Sequence, residues 1–254
     1  MRKNKASGHQ ELIYLHSLKR TDMKKMLVVL VIALFASVSG IFAQPDMKET
    51  MAVIKTSLVQ SKANMKQYSW IETTSTWIKG ELKSTKQNQC YYSVDGKLTK
   101  VATGNSDQAK KAGGIKGKII ENKKEELADY IAKAMDKVND YLPPDADKIG
   151  QIYAAGKSAI QIIDPAGKKY KLSFPDYIQK GDMLSVSIDM GNQKLMAISV
   201  STYIDNPSEK VTFDMTYNNL PDGTQYSANT TLVADAKNLK ITIVNSGFKK
   251  GSGF

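Results

Sequence analysis

Residues 183–217, MLSVSIDMGNQKLMAISVSTYIDNPSEKVTFDMTY, carry the pattern that decides the fold. Every second position is apolar in two stretches, namely Leu184, Val186, Ile188 and Met190, then Val211, Phe213, Met215 and Tyr217. A period of two predicts β-strands, because successive side chains on a strand point to opposite faces. Strands with one apolar and one polar face are typical of an antiparallel sheet that is solvated on one side.

The same period extends outward along the chain in both directions. Further predicted strands cover residues 68–79, 81–94, 97–102, 159–163, 168–174, 194–203, 226–234 and 239–243. They are rich in β-branched and aromatic residues, which favour strands. Tight-turn sequences separate several of them, including Lys79-Gly80, Asp95-Gly96 and Pro221-Asp222-Gly223.

Three segments have a helical pattern instead. Apolar residues recur at helical spacing from Asp46 to about Lys66, namely Met47, Met51, Ile54, Leu58 and Met65. A second amphipathic helix is predicted up to Pro143-Pro144, with Asn122 and Glu125 as its capping box. A shorter helix is predicted over 145–155, and the polar, glycine-rich residues 103–118 are predicted to form a surface loop.

These elements predict an α+β fold. A sheet of eight to ten strands with one apolar face must cover that face, and the amphipathic helices are the available cover. We therefore expect a single, strongly curved antiparallel sheet, an incomplete barrel, closed over the helices. No second apolar core is evident, so residues 44–254 are predicted to form one domain.

The N-terminal residues predict export to the cell envelope. The apolar run Leu27–Val38 follows Met23-Lys24-Lys25 and precedes small residues ending at Ala43. This order is typical of a secretory signal, so residues 23–43 are the predicted signal peptide, cut after Ala43. Residues 1–22 are interpreted as an over-extended N-terminus; the alternative is an uncleaved anchor with a basic cytoplasmic tail. The predicted location is the periplasm or the exterior.

The composition after residue 43 limits the chemistry. Both histidines and both arginines precede residue 44, and Cys90 is the only cysteine. Seven of the 36 Lys+Arg and two of the 25 Asp+Glu also precede it, which leaves a net charge of about +6. Without histidine there is no Ser-His-Asp relay, and the commonest zinc ligand is missing. Carboxylate-based hydrolysis needs no histidine, but no acidic pair stands out in the sequence. We therefore expect no enzyme activity, catalytic residue, metal, cofactor or nucleic-acid partner, and we expect Cys90 to be a small buried or half-buried hydrophobic residue.

Several short sequences, together with the order of the elements, resemble a known envelope fold. They are the Tyr68-x-Trp70 strand entry, the Tyr92–Lys97 turn step, LPDGTQY at 220–226 and KITIVNSGFKK at 240–250. Together they resemble envelope proteins with the lipoprotein-carrier (LolA/LolB-like) fold, over most of residues 46–250. The resemblance implies a half-barrel whose cavity holds acyl chains. Those carriers use a cavity arginine, which residues 44–254 lack, so it implies lipid binding rather than lipoprotein transfer.

Two functional hypotheses follow. The first is a monomeric envelope carrier that binds a lipid or another apolar ligand by burial between sheet and helices. Its predicted ligand-binding residues are Met51, Ile54, Leu58, Trp70, Leu184, Val186, Ile188, Val211, Phe213 and Met215. The second is a structural or interaction module with a filled core, which binds another envelope protein through a sheet edge or the 103–118 loop.

Overall fold

The structure is a computed structural model and describes residues 47–103 and 115–251, with side chains from residue 52 in the first range and from residue 125 in the second. The predicted signal peptide, its cleavage point and most of the predicted 103–118 loop lie outside these residues. In the described part of the chain, no helix is both long and apolar enough to cross a membrane.

Three helices and ten strands follow one another along the described chain. The helices are α1 (Met47–Met65), α2 (Ile115–Asn139) and α3 (Ala146–Ala154). The strands are β1 (Tyr68–Ile78), β2 (Glu81–Tyr92), β3 (Leu98–Ala102), β4 (Ala159–Asp164), β5 (Lys169–Pro175), β6 (Met183–Asp189), β7 (Lys194–Tyr203), β8 (Lys210–Asn219), β9 (Gln225–Ala234) and β10 (Leu239–Lys250). A short 3₁₀ turn, Asp235–Lys237, precedes β10.

All ten strands form one antiparallel sheet. Its order is β3-β2-β1-β10-β9-β8-β7-β6-β5-β4, so the first and last strands of the chain pair with each other inside the sheet, as its third and fourth strands. The edge strands β3 and β4 do not pair with each other, so the curved sheet stays open. The predicted α+β class and the antiparallel half-barrel architecture are therefore confirmed.

The chain between β3 and β4 connects opposite edges of the sheet and contains α2 and α3. Ten strands at a spacing of about 4.8 Å separate the edges by roughly 43 Å along the sheet. At 1.5 Å per residue, a helix of the length of α2 is about 37 Å long. The connection therefore has the length to pass over the sheet, and this topology places α2 and α3 against it.

The core lies on the sheet face that the helices cover. Ala134 and Val138 of α2 and Ile149 of α3 are fully buried. They pack with the inward side chains of the sheet, namely Leu172, Phe174, Leu184, Val186, Ile188, Leu195, Ile198, Val200, Val211, Phe213, Leu232, Ala234 and Leu239. The alternation in residues 183–217 therefore correctly predicts the inward face.

Helix α2 starts earlier than predicted. Its first residue is Ile115, so Asn122 lies within the helix and cannot be its N-cap. The predicted capping box at Asn122 and Glu125 is wrong, because the N-terminal turns form in the lysine- and glycine-containing segment before it. The cap of α3 follows the expected chemistry, since the Asp145 carboxylate accepts hydrogen bonds from the amides of Asp147 and Lys148.

A buried carboxylate joins the chain after α2 to the sheet. Asp182 is 2 % exposed, and its oxygens accept hydrogen bonds from the Tyr141 hydroxyl and from the amides of Tyr177, Ile178 and Gln179. The Tyr141 hydroxyl also contacts the Thr202 hydroxyl at 2.8 Å. A buried charge is tolerated only when its hydrogen bonds are made, and here four donors surround it.

Strands β2 and β3 extend beyond the helical cover. Most of their side chains are exposed or half-buried, and neither strand has a face that is buried along its whole length. The apolar side chains of Leu82, Val94, Leu98 and Val101 are all exposed, and Val94 is 99 % exposed. Cys90 is fully buried, as expected from the sequence, and burial raises the pKa of its thiol.

Candidate ligand-binding site

The first candidate site is a cavity of about 450 Å³ between α1, the α2–α3 connection, and strands β6 and β7. We call it the apolar cavity. Its lining is Ile54, Lys55, Leu58, Val59 and Lys62 of α1, Pro143, Pro144 and Ala146, and Val186, Leu195 and Ile198 of the sheet. Nine of these eleven residues are apolar and two are lysines. Its volume lies within the usual range for small-molecule sites, about 300–1,000 Å³.

The second candidate site is a cavity of about 410 Å³ between the C-terminal half of α1 and strands β1, β2, β3, β8, β9 and β10. We call it the aromatic cavity. Its lining combines five aromatic residues with polar and apolar ones, namely Trp70, Tyr92, Tyr217, Tyr226 and Phe248, with Leu58, Ser61, Lys62, Met65, Glu72, Leu98, Met215, Gln225, Ser227 and Asn245.

The two cavities are neighbours along α1. Leu58 and Lys62 line both, whereas Ile54 lines only the apolar cavity and Met65 only the aromatic cavity. These four positions lie on one side of the helix at 3.6 residues per turn. Eleven residues separate Ile54 from Met65, which corresponds to roughly 16 Å along the helix axis. The two cavities therefore lie one after the other along the same face of α1.

Polar contacts hold α1 on the sheet. The backbone amide of Gln225 donates to the Ser61 hydroxyl at 3.0 Å, and the Ser57 hydroxyl donates to the Gln225 side-chain oxygen at 2.8 Å. The Asn64 amide donates to the Thr224 hydroxyl at 3.1 Å. Gln225 in turn donates to the Leu195 carbonyl at 2.8 Å. Ser57, Ser61 and Asn64 lie at i, i+4 and i+7, so one polar stripe docks α1 at the turn between β8 and β9.

This polar docking explains where the cavities lie. Among the α1 side chains that the structure describes, Ile54 is the only buried hydrophobic residue, and Leu58 is half-buried. The apolar stripe predicted from the sequence is therefore not packed fully against the sheet. Because the neighbouring polar stripe makes the contact with the sheet, the apolar stripe borders the cavities.

A row of aromatic rings forms one wall of the aromatic cavity. Tyr92, Trp70, Phe248 and Tyr226 come from β2, β1, β10 and β9, which are adjacent strands. Successive ring centroids are 6.0, 5.9 and 4.2 Å apart. The first two distances are within the usual range of aromatic pairs, about 4.5–7 Å, and the third is slightly shorter. The Trp70 indole N–H donates to the Asn245 side-chain oxygen at 3.1 Å, so the buried tryptophan has a polar partner.

The aromatic cavity also contains polar groups. The Glu72 carboxylate accepts two contacts from the Lys100 ammonium, at 2.7 and 2.8 Å, which neutralise its charge. The hydroxyls of Tyr92, Tyr217 and Tyr226 form no hydrogen bond with another residue of the described part. Burial raises the pKa of Tyr217 to about 12, still further above neutral pH than the ordinary value of 10, so its hydroxyl is a hydrogen-bond donor at neutral pH.

The predicted ligand-binding residues separate into three groups. Ile54, Leu58 and Val186 line the apolar cavity, and Leu58, Trp70 and Met215 line the aromatic cavity. Leu184, Ile188, Val211 and Phe213 lie in the packed core and line neither cavity. The side chain of Met51 lies outside the described residues.

The prediction did not include several residues that line the cavities. Leu195 and Ile198 belong to a predicted strand, but the alternation of apolar residues in a strand does not distinguish a cavity wall from a packed core. The sequence pattern marks Pro143 and Pro144 only as the end of a helix, and Phe248 only as part of the 240–250 stretch that carries the family resemblance. The sequence offers no local signal that these residues meet α1, because the contacts join distant parts of the chain.

Comparison with known proteins does not assign this chain to a family. No protein-family model matches the sequence, and no curated protein matches it. A solved structure of a DUF1329 family protein from Desulfovibrio piger shows a weak structural similarity, with 10 % identity and a TM-score of 0.36. The match covers 81 % of this chain and 94 % of that chain. Membership of the lipoprotein-carrier family stays a prediction.

Proposed function

We propose that this protein is a non-enzymatic binding or carrier protein of the cell envelope, and that its ligand is a lipid or another apolar molecule. The observation that carries the proposal is the apolar cavity, with nine apolar residues in its lining and a volume of about 450 Å³. The predicted signal peptide at 23–43 supports an envelope location, in the periplasm or outside the cell.

Burial of an aliphatic chain is the physical basis of the proposed binding. Each methylene group that leaves water contributes about 0.8 kcal/mol. Eight buried methylenes would therefore contribute roughly 6 kcal/mol before the entropic cost of association is subtracted. Val186, Leu195 and Ile198 form a wall supplied by two paired strands, so the site is largely pre-formed on the sheet side.

The test is to fill the apolar cavity with a side chain. Ala146→Trp places an indole in the lining at the start of α3, whereas Ala154→Trp places one at the exposed end of the same helix, outside both cavities. We expect the wild-type protein and Ala154→Trp to bind a fluorescent fatty-acid probe. We expect Ala146→Trp to bind it at least tenfold more weakly.

Native mass spectrometry provides the second readout. The protein, expressed with its own N-terminal segment and purified from the envelope fraction of its host, should carry a lipid that solvent extraction removes. Its melting temperature should fall on extraction, because a ligand that binds only the folded state stabilises it. A clean apo mass together with no probe binding would contradict the carrier proposal.

A specific observation favours a second candidate function, an interaction module for an envelope protein partner. Val94, Leu98 and Val101 expose apolar side chains on the edge strand β3 and in the turn that precedes it. Exposed apolar groups that lie together are typical of interaction surfaces. Double substitution of Val94 and Val101 by serine should then abolish capture of a partner and leave probe binding unchanged, because neither residue lines a cavity. Loss of probe binding with retained capture would instead place the ligand at this surface.

A further inference from the structure

The charged residues that border the apolar cavity are all positive. Lys55 and Lys62, both exposed on α1, are the only charged residues in its lining, and they flank Val59 on the same side of the helix. Neither lysine forms an ion pair or a side-chain hydrogen bond with another residue in the described ranges. Two ammonium groups therefore border an apolar cavity without a carboxylate that neutralises them.

The nearby acidic residues are engaged elsewhere or lie outside the lining. Asp145 and Asp147 flank the lining residue Ala146, but the Asp145 carboxylate caps α3, and neither residue pairs with Lys55 or Lys62. Glu72 lines the adjacent aromatic cavity, but Lys100 already neutralises it. Lys62 therefore makes the electrostatic potential positive at the junction of the two cavities, which favours the binding of an anion there.

We propose that the ligand is an anionic amphiphile whose aliphatic chain occupies the apolar cavity and whose carboxylate or phosphate head lies beside Lys62. This inference rests on the proposed function and specifies the chemical class of its ligand. Lys62 lines both cavities, so a head group at that point reaches the aromatic cavity while the chain extends towards Pro143 and Ala146.

The aromatic cavity supplies neutral hydrogen-bond donors for such a head group. Tyr92, Tyr217 and Tyr226 line it, and their hydroxyls have no hydrogen-bond partner within the described residues. A phenol donates to an anionic oxygen through a charge-assisted hydrogen bond, which is stronger than a neutral one. Lys62 thus contributes charge and the tyrosines contribute directional donors, whereas arginine, the usual bidentate partner of phosphate, is absent from residues 44–254.

The experiment compares ligands that share one chain and differ in head group. Dodecanoate, dodecyl phosphate, dodecanol and dodecyltrimethylammonium are titrated by calorimetry into the delipidated wild-type protein, Lys62→Gln and Lys55→Gln/Lys62→Gln. Lys66→Gln is the matched control, because Lys66 follows α1 directly but lines neither cavity. Glutamine retains much of the side-chain length, so the substitution removes mainly charge.

We expect both anions to bind about tenfold more tightly than dodecanol, which corresponds to two partly exposed charge contacts. The double variant should lose this preference and keep its affinity for dodecanol, and Lys66→Gln should behave like the wild type. Added salt should weaken anion binding only, because it screens the lysines. A preference for one of the two anions distinguishes a carboxylate from a phosphate head group and supports the inference either way.

Three results would overturn the inference, and they differ in whether the carrier function survives. Equal affinity for all four head groups, or an anion preference that survives in the double variant, refutes charge selection and leaves the carrier function intact. Absence of binding by every amphiphile refutes the carrier function, and the inference with it.

Discussion

Removal of one hydroxyl group from the buried cluster around Asp182 should destabilise the protein strongly. In Tyr141→Phe the ring remains, but Asp182 loses a donor at 2.5 Å and Thr202 loses a contact at 2.8 Å. All three side chains are buried, with 3 % exposure or less. A hydrogen bond to a charged group contributes about 1.5–3 kcal/mol, and a buried acceptor left without its donor adds to the loss.

We therefore expect Tyr141→Phe to lower the free energy of unfolding by about 2–3 kcal/mol. For a domain of 150–250 residues this corresponds to a fall in melting temperature of roughly 4–12 °C. The matched control is Tyr130→Phe on α2. The Tyr130 hydroxyl oxygen is buried and has no hydrogen-bond partner among the described residues. Its removal should be neutral or stabilising by up to about 1 kcal/mol, because no bond is lost.

Urea unfolding followed by circular dichroism measures both variants. A change in the midpoint at constant m-value reports a change in stability rather than in the unfolded state. The reasoning is refuted if both variants lose similar stability, or if Tyr141→Phe stays within about 0.5 kcal/mol of the wild type, the usual range of surface substitutions.

Two further predictions concern titratable groups. Cys90 should resist a thiol reagent at pH 8 in the folded protein and react fully in urea, because burial raises its thiol pKa and excludes the reagent. Asp222 should contribute to acid sensitivity. Hydrogen bonds from Tyr68, then Lys250, hold its carboxyl pKa well below the ordinary value of 3.8. A carboxyl with a depressed folded-state pKa stabilises the protein above its unfolded-state pKa, and this contribution is lost as the pH falls through the folded-state pKa. Asp222→Asn should therefore lower stability at pH 7 and reduce its decline on acidification.

Each of these predictions has a result that would contradict it. Rapid labelling of Cys90 under native conditions, at the rate seen in urea, would show that β2 opens or that the thiol is accessible. For Asp222, the control is Asp214→Asn on β8, an exposed carboxylate without a hydrogen-bond partner in the described part of the chain. The same flattening of the pH profile in both variants would contradict the specific role of Asp222.

The strands were predictable because their signal is local. The alternation of Val211, Phe213 and Met215 requires only that one face of β8 be apolar, and the same holds for Leu184, Val186 and Ile188 of β6. Turn sequences such as Asp95-Gly96 then delimit neighbouring strands. The start of α2 at Ile115 was not predicted because its first turn lacks an acidic residue and contains a glycine.

The candidate site was only partly predictable. Inward-facing positions include both cavity walls and packed core, and a strand period does not separate them, so Val186 lines the apolar cavity whereas Ile188 lies in the core. Nothing in the sequence distinguishes Lys55 and Lys62 from the many other lysines of this chain, so their place at a candidate site could not be predicted. Their position beside an apolar cavity became evident only with Pro143 and Ile198 opposite them.

The amino-acid sequence alone determined the antiparallel strand pattern, the α+β class and the absence of histidine and arginine after residue 43, because each is a property of local spacing or of composition. Only the tertiary structure decided where space is left between α1 and the sheet. That space depends on hydrogen bonds such as Ser57 to Gln225 and Ser61 to Gln225, which join residues more than 160 positions apart. Contacts between such distant residues produce no periodic pattern in the sequence. Because they dock the polar stripe of α1 on the sheet, the apolar face of α1 borders two cavities.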